Sequence, residues 1–164
     1  MTMPELITDL DVLRTWPNER LIAHRDALAV LERQVRLARA CADRVVDERG
    51  ITGDQDLSEW VQARDRVRPA KARIEADVVR RLDELPAVRA EAEAGRLSMD
   101  QLEHIVELAT PASDEEWAER GQRLAPSDLA RLARKQKVVN PDDEKRRDAA
   151  KELRWWALPR RALA

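Results

Sequence analysis

The sequence predicts an all-α fold: a multi-helix bundle with one long N-terminal helix, several short helices and a charged C-terminal helix that projects from it. Three observations predict this. Ala, Leu, Arg and Glu, all strong helix formers, dominate the 164 residues. Residues that strands favour are scarce: Phe and Tyr are absent, five tryptophans are the only aromatics, and four glycines leave little material for hairpins. Apolar residues recur at helical spacing in segments bounded by Pro, Gly and Ser.

Taken in order, residues up to about Arg14 form a short helix or a loose arm. Pro17 opens the long helix, at a position where its missing N–H costs nothing. Leu21, Leu28, Val35 and Ala42 recur every seven residues, and His24, Leu31, Ala38 and Val45 interleave three positions later. This is a heptad seam. Gly50 follows the last turn, as a helix C-terminus prefers. A helix from Pro17 to Arg49 would be about 50 Å long. Such a rod cannot bury its seam alone and needs the rest of the chain or a second copy.

A short helix around Ser58 to Asp65 presents Trp60 and Val61 inward. Pro69 opens the next helix, with Ile74, Val78, Leu82 and Leu85 as its stripe. Pro86 starts a brief helix ending at Gly95. Ser98 is then an N-cap, with Gln101 completing a capping box and Leu97 and Leu102 placed as its hydrophobic staple. Leu102, Ile105, Val106 and Ala109 give that helix its buried face. Ser113 and Glu116 repeat the box spacing, and Trp117 follows. Ser127 caps a helix carrying Leu129, Leu132 and Ala133 inward. Asn140-Pro141 separates it from a final charged helix. The predicted organisation is an arm (1–16), a bundle (17–140) and a charged helix and tail (141–164).

A hydrophobic fraction of 43% is enough for a core. The single cysteine, Cys41, excludes an intrachain disulfide and fits a reducing compartment, so a cytoplasmic location and a buried structural thiol are expected. Glu5, Asp9 and Asp11 do not suit a signal peptide, and no apolar run approaches the ~20 residues that span a bilayer, so no membrane partner is expected.

Enzymatic signatures are missing. The two histidines, His24 and His104, lie eighty residues apart in helical patterns, too few for an HNH-type metal site. One cysteine makes a structural zinc implausible. Pro141 to Lys145 superficially matches a PD…(D/E)xK nuclease signature, but its acidic residues crowd a helix start, where they complement the macrodipole. No phosphate-cradling glycine loop and no nucleophile elbow occurs. Pairs such as Glu32 with Arg36 and Asp143 with Arg147 read as surface ion pairs. No catalytic residue, metal, cofactor or small-molecule ligand is therefore expected.

The remaining chemistry is binding. Net charge is −2, yet from Leu129 onward eleven Lys/Arg face five Asp/Glu, a local balance of +6 that leaves −8 on the first 128 residues. Arg131, Arg134 and Lys135 share one helix face. Arg147, Lys151 and Arg154 form a similar stripe, followed by Arg160 and Arg161, with Trp155 and Trp156 among them. Indole rings beside cations stack on bases, anchor protein interfaces, or fold back onto a bundle. DNA phosphates, and a second copy through the long helix, are the candidate partners.

The order of motifs resembles a known family. Ser58-Glu59-Trp60-Val61, the Pro69-led helix, Leu85-Pro86-Ala87-Val88, Glu93-Ala94-Gly95-Arg96-Leu97-Ser98 and Leu124 to Ala133 follow one another as in the actinobacterial domain of unknown function 222, the 13E12-repeat family. The resemblance spans about Pro17 to Trp156. The charged stretch Val61 to Pro69 and the Trp155-Trp156 pair depart from the pattern. The resemblance implies a helical region that precedes an HNH endonuclease domain, with the chain stopping where the linker to that domain would begin. It carries over no catalytic residue. Two functions follow: a non-catalytic accessory domain of an HNH-nuclease-like protein that positions or targets it and contacts DNA phosphates, or a helical protein-interaction or oligomerisation module with no nucleic-acid role.

Overall fold

Pro17, extended at ψ 149°, turns the chain into the longest element, α2 (Asn18–Glu48), after a single short helix, α1 (Leu10–Arg14). The structure is a computed structural model that describes residues 4–65 and 71–139. The other elements are α3 (Leu57–Asp65), α4 (Ala72–Leu82), α5 (Pro86–Glu93), α6 (Met99–Leu108), α7 (Asp114–Gly121) and α8 (Pro126–Val139), with one 3₁₀ turn at Pro111–Ser113. The protein is an all-α multi-helix bundle, with no strand among the described residues.

Local chemistry sets most boundaries. Gly50 adopts φ +65°, and Ile51 N–H reaches back to the Val46 carbonyl at 3.1 Å, the Schellman closure of α2. Gly95, at φ +72°, ends α5 the same way, with Arg96 N–H on the Glu91 carbonyl. The Ser98 box is formed: Gln101 N–H donates to Ser98 Oγ, and Ser98 N–H to Gln101 Oε1. Gln101 Nε2 also donates to the carbonyls of Gly121 and Leu124, closing the end of α7. One side chain thus serves two helix termini.

Three expected details differ. Ser113 does not box with Glu116; its Oγ takes the N–H of Thr110 at 3.0 Å, because Pro111 first drives a 3₁₀ turn. Ser127 is not an N-cap, since α8 already begins at Pro126, with Ala125 accepting the first helical N–H groups. Ile74 is not on the core stripe of α4. That face is Ala72, Ala76, Val78, Val79 and Leu82, and Ile74 points to solvent. The boundary at Asn140-Pro141, the final charged helix and Pro69 lie outside the described residues.

The main core gathers Leu37 and Ala40 of α2 with Val78, Leu82, Val88, Leu97, Leu102, Ile105, Trp117 and Leu129. The staple residues Leu97 and Leu102 are both buried in it. A smaller cluster of Leu57, Val61, Ala72 and Ala76, with Val46 and Trp60 against it, seats α3 near the C-terminal end of α2. Within the bundle α4 packs on α2 and α6, α6 on α8, and α5 on α7.

The heptad seam of α2 is not the face that the bundle covers. Leu37 and Ala40 are the buried residues of this helix, and their stripe includes Val30, Arg33, Gln34, Cys41 and Arg44. Those spacings follow a 3.6-residue period, whereas the seam follows 3.5 and runs beside that stripe, with Gln34 and Cys41 on their shared edge. Arg36 likewise does not serve Glu32: it donates to Glu75 at 2.7 Å and Asp100 at 3.1 Å, tying α2 to α4 and α6.

Candidate association surface and a half-open cavity

The outer face of α2 carries apolar side chains in water. Leu21 is 39% exposed, Val35 56% and Val45 40%, while Ile22, 60% exposed, lies on the Ala40 side of the helix near its N-terminal end. Around α1, Leu6, Leu10 and Val12 are also exposed. Leu28 and Leu31 are half-buried. Monomers rarely leave long apolar stripes in solvent without use.

His24, placed on the heptad seam by its spacing, is packed. The Trp16 ring meets it edge-on at 5.1 Å, and the Arg20 guanidinium lies 3.9 Å over Trp16. Its Nε2 is buried without a hydrogen-bond partner. His104 is half-exposed on α6. Among the described residues no cluster of His, Cys, Asp or Glu could hold a metal ion, and no helix is long and apolar enough to cross a membrane.

Of the basic residues singled out in the sequence, Arg131, Arg134 and Lys135 are exposed on α8. Arg131 donates to Asp128 one turn earlier at 3.0 Å, so part of its charge is already answered. Arg147, Lys151, Arg154, Trp155, Trp156, Arg160 and Arg161 lie outside the described residues.

A feature the sequence did not signal is a cavity of about 280 Å³ between α2, α4 and α5, lined by Gln34, Leu37, Cys41, Val79, Leu82 and Arg89. Its wall is mainly apolar. Burial pushes the Cys41 thiol above its ordinary range, although the nearby Arg89 pulls the other way. The thiol is half-buried and not fully buried as expected, in an environment that suits an inert cysteine and not a nucleophile. No periodicity could reveal this space, because it arises where three helices fail to close.

Ion pairs flank the cavity. Arg44 of α2 and Arg89 of α5 both hold Asp83, each at 2.7 Å, and their hydrogen bonds keep its carboxyl below the usual carboxylate range. These contacts join three helices at one corner and answer their own charges.

Comparison with family models, with curated proteins and with solved structures gives no match in any of the three.

Proposed function

We propose that the chain is a non-catalytic helical association module, and that the outer face of α2 is where another chain docks. The observation that carries this reading is the heptad seam with Leu21, Val35 and Val45 in solvent while the adjoining Leu37–Ala40 face of the same helix packs the core. A regular apolar row that the fold does not consume is what coiled-coil pairing requires. Sedimentation velocity tests it. Wild-type protein should associate with rising concentration, and Val35→Asp should abolish this while leaving the melting temperature nearly unchanged. A wild type that stays monomeric to about 100 µM, where even weak specific interfaces form, overturns the reading.

A second reading rests on α8. Arg131, Arg134 and Lys135 are exposed together, and the motif order resembles the helical region that precedes HNH nucleases. As an accessory domain the chain would then contact DNA phosphates through this end. Binding to duplex DNA should fall steeply with added salt, with a slope of about −0.9 per phosphate contact. No binding at low salt removes it.

A further inference from the structure

We infer that the occupant of the α2 face is a second copy of this chain, paired antiparallel with the two helices crossing near Leu28. This rests on the association reading above and adds its partner and direction.

Charges along the edges of the seam set the direction. Leu21, Leu28, Val35 and Ala42 occupy one seam position and His24, Leu31, Ala38 and Val45 the other. The residues flanking the seam are then Arg25, Glu32, Arg39 and Val46 on one edge and Arg20, Ala27, Gln34 and Cys41 on the other, of which Val46, Gln34 and Cys41 already meet the bundle. In a parallel pair opposite edges meet, which sets Arg20 of one copy beside Arg25 of the other, twice. In an antiparallel pair like edges meet. A crossing near Leu28 sets Arg25 of each copy beside Glu32 of the other, again twice. Such flanking charges choose orientation and partner.

The structure leaves these groups available. Arg25 and Glu32 are exposed, and the contact shown by Arg25 is to its chain neighbour Asp26, on the same helix surface. Trp16 packs on Arg20 and on the seam residue His24, on the side away from Arg25 and Glu32. A crossing further along the helix is disfavoured, because Arg39 is already paired with Asp65 and the seam there narrows to Ala38 and Ala42. The helix segment around Leu28 precedes Val30, the first residue of α2 seen against Gly95, so the two bundles would sit toward opposite ends of the paired rods.

Sedimentation equilibrium on the full chain tests this with Arg25→Glu, Glu32→Arg and the double exchange. All three change exposed groups, so circular dichroism should show intact folding. Each single exchange replaces two attractions by two repulsions and should weaken dimerisation roughly tenfold, and the double exchange should restore it. Raising salt should shrink both effects. Tightening by Arg25→Glu, insensitivity to all three, or a trimer would overturn the antiparallel pair yet leave α2 as the association face, provided Val35→Asp still abolishes association. Association that survives Val35→Asp, or a wild-type monomer at about 100 µM, would sink both ideas together.

Discussion

The carboxylate of Asp114 accepts the backbone N–H of Val88 at 3.0 Å, and that of Ala87 at 2.7 Å, across the interface between α7 and α5. α5 starts at Pro86 behind Leu85, which has no side-chain oxygen to cap it. Asp114 supplies the missing cap from the first residue of another helix. It is 5% exposed, so its hydrogen bonds are made out of water. Asp114→Ala should therefore cost about 2–4 kcal/mol, since it strands the buried N–H of Val88 and the half-buried N–H of Ala87. Asp114→Asn, which keeps an acceptor, should cost less. Urea midpoints would measure both, and equal losses would refute the capping role.

Gly95 and Gly53 share a left-handed backbone but not a setting. A Cβ at Gly95 would lie 2.8 Å from Val30 Cγ1 and 3.0 Å from the Val30 carbonyl oxygen, whereas at Gly53 it would meet open space. Gly53→Ala should cost only the conformational strain, about 1 kcal/mol. Gly95→Ala adds a collision with the Val30 side chain and a tight contact with its carbonyl oxygen, which side-chain rotation alone does not relieve, so about 2–4 kcal/mol is expected. Thermal melts of the two variants side by side would separate the terms.

Cys41 should react slowly. Burial raises its thiol, and the side chain is half-enclosed at the cavity between α2, α4 and α5. Since the thiolate is the nucleophile, alkylation by iodoacetamide at pH 7.5 should run at least about tenfold slower than for an unstructured cysteine. In strong denaturant the difference should vanish. Fast labelling of folded protein would show that the corner opens.

The signals that could be read from sequence were local ones. Ser98 with Gln101, and Gly50 and Gly95 after their helices, act within a few residues, and each appears in the structure where the pattern put it. What the sequence could not show depended on partners far along the chain. The bundle packs on the Leu37–Ala40 side of α2 because α4, α5 and α6 arrive there, and nothing within α2 announces that choice. Asp114 looks like an ordinary acidic residue in a first turn until α5 lies against it. Arg36 has Glu32 one turn away, yet Glu75 and Asp100 hold it. The candidate docking face was half legible: its period was visible, but its freedom from the core was not.

The Arg44–Asp83–Arg89 corner should set part of the acid response. Hydrogen bonds first from Arg44, and then from Arg89, hold the Asp83 carboxyl below its ordinary value of 3.8. A carboxylate depressed by folding binds protons more readily when unfolded, so its stabilisation is complete above that ordinary value and disappears as pH falls through the lower, folded value. Asp83→Asn removes this linkage. It should lower the urea midpoint at pH 7, and the deficit against wild type should shrink as pH drops from 5 toward 2. The loss at pH 7 should be modest, because Asp83 is partly exposed and water screens the pair. Variant and wild-type curves that stay parallel over that range would show that the two arginines gain nothing from the charge on Asp83 and merely lie near it.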